Sequence, residues 1–315
     1  MSAHRLQWQS LPDRVRAEIE ATLGARVIAS ASGPGGFSPS FASRCDLDDG
    51  RRVFVKAVSQ AQNPESPNML RREIDATQWL PAAVPAPRLL HALDDGDWVV
   101  GMFEHVDGRP PHNPWDPDEL AHVLAAVDAL GAVPLTGGLQ RLPSAEARLA
   151  PSFVGWSRLA EPERPLSIVD VWARDHLDEL VALESEWPAS VRGDALVHLD
   201  VRADNIVIEP DGTVVIVDWA WPCRGARGVD VLAMLPSVAL DGGGEPEEVL
   251  SRTGTQIPIA PASVDSFVAA LAGTFTWAAT LPDPPGLPTV RAFQRAQGKV
   301  ALRWLRTRLG DGESQ

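Results

Sequence analysis

His198-Leu199-Asp200-Val201-Arg202-Ala203-Asp204-Asn205 is followed by an apolar run, a Pro210-Asp211-Gly212 turn, a second apolar run and Asp218-Trp219-Ala220. Turn residues between two β-branched stretches predict a hairpin. A histidine, an aspartate two residues on, an asparagine five beyond that and an aspartate across a hairpin is a layout suited to phosphoryl transfer. That chemistry needs one carboxylate near an attacking hydroxyl and two oxygen ligands for magnesium. Asp200 is read as the base that accepts the hydroxyl proton, and Asn205 and Asp218 as the oxygen ligands a hard cation requires. Arg202 is placed to face the transferring group, and His198 to brace the loop by hydrogen bonding.

Working outward, the upstream chain supplies a sheet. Leu11 to Leu23 carries Val15, Ile19 and Leu23 at a spacing of four and predicts an amphipathic helix. Strand-like runs follow at residues 26–32, 40–47 and 51–58, the last two joined by the hairpin signal Asp48-Asp49-Gly50. A helix is expected over Asn68 to Leu80, then strands over 88–93 and 98–103. Five strands with one internal helix thus precede Glu104. Beyond it, Asp107-Gly108-Arg109-Pro110-Pro111 reads as a linker, and Asp118 to Leu130 and Val169 to Trp187 read as helices, the second ended by Pro188. Leu142 to Pro165 reads as irregular. After the hairpin, helices dominate to Leu309 and a polar tail closes the chain. The expected fold class is α+β: a small antiparallel-sheet lobe over residues 1–104 and a larger, mainly helical lobe over 105–315.

Composition narrows the chemistry. The 315 residues carry a formal charge of −14, which argues against a nucleic-acid partner. Val264 to Leu281 is the most apolar long segment; with Ser263 as an N-cap and Pro282 as a stop it reads as a buried helix, not a membrane anchor. Cys45 and Cys223 lack metal-type spacing and fit a reducing compartment, and the N-terminus does not read as a secretory signal, so the expected location is cytoplasmic. Lys56 and Lys299 are the two lysines among 28 basic residues. Lys299 reads as surface. Lys56 lies in the strand pattern Val53-Phe54-Val55-Lys56-Ala57-Val58, and Glu73 follows in the next helix. A strand lysine paired with a helical glutamate is how kinases aim an ammonium at nucleotide phosphates; an edge-strand charge is the alternative. Gly33-Pro34-Gly35-Gly36-Phe37-Ser38-Pro39 would let backbone amides and the Ser38 hydroxyl approach a phosphate, although it is neither a Walker loop nor Gly-x-Gly-x-x-Gly. Asp230 is expected to cap the helix it opens and to anchor the neighbouring loop.

On these residues the chain resembles the aminoglycoside phosphotransferase (APH) family of kinase-like small-molecule kinases. Gly36 to Ser40 resembles its nucleotide loop, Val55-Lys56 its phosphate-binding lysine, and Met102-Phe103-Glu104-His105-Val106-Asp107-Gly108 its hinge. His198 to Asn205, Asp218 and Asp230 to Ala233 resemble its later motifs. Leu199 stands where glycine is frequent, and Trp219-Ala220 where phenylalanine and glutamate or glycine are usual. The resemblance implies a two-lobed protein-kinase-like fold, with Ser38, Lys56, Glu73, the Phe103 carbonyl and the His105 amide on the nucleotide. It further implies ATP, with GTP left open, together with Mg2+, acting on a small-molecule hydroxyl acceptor in a monomer or homodimer. An aminoglycoside or amino sugar comes first among acceptors, and choline-, homoserine- and macrolide-type alcohols are alternatives. Two other classes stay open: a catalytically idle nucleotide-binding module, and a metal-dependent phosphohydrolase using His198, Asp200, Asp218 and Asp230. The acceptor region is expected between Asp107 and Pro188 and after Asp230. Acids such as Asp116, Asp118, Glu119, Asp175, Asp178 and Glu184 there suit an amino sugar, and Trp115, Trp156, Trp172 and Trp187 suit a more apolar or quaternary-amine acceptor.

Overall fold

The structure, a computed structural model, describes residues 6–32, 40–162, 164, 166, 169–284 and 288–310. The Gly33–Pro39 loop, and Ser38 with it, lies outside the described residues. The strands are β1 (Val27–Ser32), β2 (Phe41–Leu47), β3 (Arg52–Ser59), β4 (Leu89–Asp94), β5 (Trp98–Glu104), β6 (Ala195–Val197), β7 (Ile206–Ile208), β8 (Val214–Ile216) and β9 (Cys223–Gly225). The chain divides into two compact units. One comprises Met1–Pro110, Asp204–Trp221 and Asp283–Thr289, and the other Pro111–Ala203, Pro222–Pro282 and Val290–Gln315.

The first unit is built on a five-stranded antiparallel sheet of order β1-β2-β3-β5-β4. Strand periodicity assigns its two faces. Val53, Val55 and Ala57 of β3 join the buried cluster that holds Val15, Ile19 and Leu23 of helix α1 (Asp13–Leu23). Phe54 and Val58 join the cluster of Leu70 and Ile74 from helix α2 (Ser66–Trp79). Lys56 falls between Phe54 and Val58 and therefore shares the α2 face. It lies on a strand paired on both sides, so the edge-strand alternative does not hold. The β2–β3 connection turns at Gly50, whose φ of +88° favours glycine.

The β7–β8 hairpin belongs to the same unit because backbone bonds tie it to earlier chain. Arg109 N–H donates to the Ile208 carbonyl at 3.0 Å, and Ile208 N–H donates back at 2.8 Å. Ile216 N–H donates to the Pro85 carbonyl at 2.9 Å. A Cβ on Gly108 would sit 2.5 Å from the Ile208 carbonyl oxygen, so this approach requires glycine. Asn205 immediately precedes β7, and Asp218 is the second residue after β8.

The second unit is mainly helical, with its long helices at Pro117–Leu130, Val229–Leu240, Pro261–Ala278 and Val290–Leu309 and the short β6–β9 ladder. Several local expectations are corrected. The segment read as irregular over Leu142 to Pro165 contains helices Ala145–Leu149 and Gly155–Leu159, too short to show a periodic stripe. The expected continuous helix from Val169 to Trp187 is divided into Val171–Asp175 and Leu177–Ser185. Pro188 opens the next helix, since proline is tolerated in a first turn whose N–H needs no helical partner. Ser263 is not an N-cap: the helix begins at Pro261 with Ala260 in the capping position. That helix is buried over much of its length, and among the described residues no helix is long and apolar enough to cross a membrane. Both thiols are free and buried, and burial pushes Cys45 up to about 12 and raises Cys223 as well.

Trp156, fully buried, donates its indole N–H to the Ala269 carbonyl at 2.8 Å. Glu184, read as a candidate acceptor-site acid, is instead buried beneath it. Its carboxylate accepts from Trp156 N–H and Ser157 N–H, each at 2.9 Å, and from the Ser157 hydroxyl at 2.7 Å. Those bonds satisfy amides at the start of helix Gly155–Leu159. Gly155 itself meets the backbone of Gly273, and a Cβ there would lie 2.0 Å from the Gly273 carbonyl oxygen. Gly155→Ala is therefore expected to destabilise the protein by about 3 kcal/mol, as overpacking against an immovable backbone does. Urea unfolding checks this; an unchanged midpoint would contradict the packing.

Candidate functional site

In the first unit, three of the residues singled out in the sequence meet. Lys56 Nζ donates to both carboxylate oxygens of Glu73 at 2.8 Å and to Asp218 Oδ1 at 3.1 Å. An ammonium has three N–H donors, and here each has a carboxylate acceptor. Glu73 is brought under β3 by α2, whose buried stripe of Leu70, Ile74 and Thr77 faces the sheet; Glu65 stays outside as the helix's capping position. Burial opposes the charged form of Lys56, but the carboxylates of Asp218 and Glu73 outweigh it and hold the ammonium above the usual lysine range. Burial pushes Glu73 up to about 7, while Lys56 pulls it down and Asp218 adds to the rise. Asp218 has a φ of +66°, in the left-handed region that aspartate enters more readily than most non-glycine residues and that recurs at working sites.

Asn205 is buried, and its carbonyl accepts from Val217 N–H at 2.9 Å, which fixes it beside the residue preceding Asp218. The amide oxygen of Asn205 and the carboxylate of Asp218 are hard donors of the kind magnesium takes. Among the described residues there is no group of three or more His, Cys, Asp or Glu that could hold a metal ion. Phe103 lies in β5 with its side chain in the α2-facing cluster, which leaves only its backbone for recognition. His105 follows β5; burial and then Arg52 and Arg44 hold its imidazole below the usual histidine range. Arg72 was not singled out in the sequence. It donates to the Ala220 carbonyl at 3.2 Å and stacks over Trp221 at 4.6 Å, fastening the chain after Asp218 to α2.

In the second unit, β6 leads into His198. Its ring Nδ1 accepts from the Asp200 N–H at 3.2 Å, the bracing expected of it. Asp230 Oδ2 accepts from the His198 N–H and Oδ1 from the Leu199 N–H, both at 2.7 Å. Of its two expected roles, Asp230 performs the loop anchoring and not the capping: the capping position is Gly228, with no side-chain cap bond. Burial pushes the Asp230 carboxyl up to about 6, and the two amides pull it back. The anchoring coincides with a turn of the chain, since Leu199 has a φ of +65°, where glycine would be unstrained. Asp230→Ala would leave two amides of the loop without their acceptor. It should cost about 2–4 kcal/mol, at roughly 1–3 kcal/mol per unsatisfied group, and reduce turnover by loosening the loop. Denaturant unfolding and steady-state kinetics check this, and full stability and turnover in the variant would contradict it.

Arg202 Nη1 lies 3.5 Å from Asp200 Oδ1, and its guanidinium sits 5.3 Å above the Phe293 ring. Phe293, on the last helix, carries no signal in the sequence that would have found it. Of the tryptophans read as a possible acceptor wall, Trp115, Trp156 and Trp187 are buried in the core, whereas Trp172 is partly exposed and stacks on His176.

A family model described as phosphotransferase enzyme family (APH) matches residues 34–267. No curated protein matches the chain. Solved structures do. The choline kinase LicA from Streptococcus pneumoniae superposes with a TM-score of 0.61 at 13% identity, covering 92% of this chain and 98% of that one. The aminoglycoside phosphotransferase APH(4)-Ia gives 0.60 at 14%, covering 93% and 98%. A spectinomycin phosphotransferase, APH(9)-Ia, in complex with ADP and spectinomycin, gives 0.59 at 10%, covering 94% and 98%. At these identities the likeness shows the fold, which is the kinase-like α+β fold expected from the motifs.

Proposed function

The chain belongs to the phosphotransferase enzyme family, and from that premise we propose that it moves the γ-phosphate of ATP to a hydroxyl of a small polar molecule. The observation that carries this reading is the Lys56–Glu73–Asp218 set. Burying an ion pair is weak evidence for stability, because desolvation offsets most of the attraction. Three charges gathered on one strand face are therefore better explained by work than by folding. Lys56 would present its ammonium to the nucleotide phosphates, held in line by Glu73. Asn205 and Asp218 would hold magnesium, which when bound neutralises charge on the β- and γ-phosphates. The backbone of Phe103 and His105 would receive the adenine edge, and Ser38 would complete the nucleotide loop. Asp200 would take the proton of the acceptor hydroxyl and orient its oxygen, with Arg202 beside it balancing charge on the group in transfer.

The structural neighbours include a choline kinase and a spectinomycin phosphotransferase, so kinship by itself does not select an acceptor. Aminoglycosides and amino sugars head the panel by family resemblance, with choline-, homoserine- and macrolide-type alcohols beside them. The reading is tested by thermal-shift titration with ATP in the presence and absence of Mg2+, alongside ADP release. A ligand at about 100 times its dissociation constant stabilises by about 2.7 kcal/mol, readily seen as a shift. A magnesium-dependent shift with ADP release is the expected result. A shift with no ADP release on any acceptor would favour an idle nucleotide-binding module, and neither would remove the reading.

A further inference from the structure

Two adjacent arginines on α2 are used differently. Arg71 meets a carboxylate, donating through Nε and Nη2 to Asp94 at 2.8 and 3.0 Å. Arg72 donates through Nε to the Ala220 carbonyl at 3.2 Å and lays its guanidinium over the Trp221 ring at 4.6 Å. Among the described residues Arg72 makes no ion pair. Burial holds its guanidinium below the usual arginine range, against the pull of Glu65. A half-buried cation that engages a backbone carbonyl and a ring fixes the path of the chain more than it balances charge.

The chain it fixes is the exit from Asp218. On the near side, Val217 N–H donates to the Asn205 carbonyl at 2.9 Å. The buried Trp219 donates its indole N–H to the Ile216 carbonyl, also at 2.9 Å. Asp218 turns with a φ of +66°, and Ala220 N–H donates back to the Asp218 carbonyl at 2.9 Å. On the far side, Arg72 holds residues 220 and 221.

The same helix reaches Asp218 by a second route. Glu73 accepts two N–H bonds from Lys56, whose third goes to Asp218 Oδ1 at 3.1 Å. The contacts close a ring inside the first unit. It runs from α2 through Glu73 and Lys56 to the Asp218 side chain, then along the backbone to Ala220 and back through Arg72. Packing of Leu70 and Ile74 against the sheet seats the helix from which both arms leave. Magnesium demands near-ideal oxygen geometry, so groups that orient its ligands bear on its affinity.

We propose that Arg72 is a positioning residue for Asp218, so that α2 sets the place of the magnesium carboxylate as well as the aim of Lys56. The proposal rests on Asp218 being a magnesium ligand of a phosphotransferase. Arg72 acts through the backbone of residues 218–221 and needs no contact with metal or nucleotide.

The test reads binding as well as rate. Thermal melts at a fixed ADP concentration are titrated with Mg2+, and the half-maximal Mg2+ concentration is compared among wild type, Arg72→Met and Asp218→Asn. Groups that orient a metal ligand typically contribute about 10–100-fold to metal affinity, so Arg72→Met should raise the half-point by about tenfold or more. Stabilisation by ADP without Mg2+ should match wild type. Turnover, lowered at limiting Mg2+, should recover as Mg2+ is raised, with the acceptor KM unchanged. A purely structural role would lower the ligand-free melting temperature and leave the half-point in place. If Arg72→Met gives no cooperative melt, Trp221→Leu, which removes the ring and keeps the carbonyl bond, replaces it and should raise the half-point about threefold. An unchanged half-point in the folded variant, with Asp218→Asn raising it, would overturn the proposal and leave Asp218 as the ligand. An unchanged half-point in Asp218→Asn would remove Asp218 from the metal, and this proposal with it. No magnesium-dependent shift in the wild-type protein would overturn the phosphotransferase reading as well.

Discussion

Asp200→Asn is expected to lower turnover by about 10²–10⁴-fold, the usual contribution of a positioned base, while leaving nucleotide binding near the wild-type value. The substitution is close to isosteric, and the backbone of residue 200 stays fixed by its N–H bond to the His198 ring. Asp230 still holds the amides of His198 and Leu199, so the loop keeps its path. What changes is basicity at one atom pair, and with it the ion pair to Arg202. An amide cannot take the hydroxyl proton. The loss should therefore appear in kcat, with the ATP dependence of the thermal shift little altered. Turnover within a few-fold of wild type would remove Asp200 from the role of base.

Lys56→Met is expected to impair both activity and folding, and the two effects carry different signatures. On activity, the loss of one preorganised donor to transferring charge commonly costs about 10²–10³-fold in kcat. On folding, the variant leaves Glu73 and Asp218 without their shared cation on a buried face. Removing one partner of a buried pair typically costs about 3–5 kcal/mol. The pH dependence identifies the cause. Glu73, already pushed up to about 7 from 4.5 chiefly by burial, loses the Lys56 charge that pulls it down, and rises further in the variant. A carboxyl whose folded pKa exceeds its unfolded value holds its proton more tightly when folded, so stability is lost as pH rises between the two values. In the wild-type protein that loss is complete near pH 7; in the variant it continues to higher pH. The deficit of Lys56→Met should accordingly be smallest near pH 5 and largest near pH 9 in urea unfolding. A deficit independent of pH would show that Glu73 is not the group left uncompensated.

The parts of the site that were legible in the sequence are those set by short spacing or by scarcity. The spacing from His198 to Asn205 and the turn before Asp218 are local facts, and the hairpin follows from turn chemistry. Lys56 stood out because the chain otherwise uses arginine, and strand alternation then placed it on the face that α2 covers. What escaped the sequence is tertiary. Neither the stack of Arg202 on Phe293 nor the bond from Arg72 to the Ala220 carbonyl has a local signal. Glu184 looked like one more acidic residue until its carboxylate was seen to cap a helix from below. Pro188 and Ser263 misled for a physical reason. Proline breaks a helix from its interior, but at a first turn it starts one. Pro261 does the same, so Ser263 already lies inside the helix, whereas a capping side chain must precede the first turn. The anchoring by Asp230 was anticipated as one of two roles, and the left-handed Leu199 beside it explains why two strong bonds are concentrated there.

The central claim, transfer of phosphate to a hydroxyl with Asp200 as the base, is tested most directly by phosphorus NMR of wild-type and Asp200→Asn reactions with MgATP and the acceptor panel. The account predicts a phosphomonoester signal on an acceptor, growing in step with ADP in the wild-type reaction and all but absent in the variant. Inorganic phosphate as the sole new species, or a monoester formed equally well by Asp200→Asn, would contradict it.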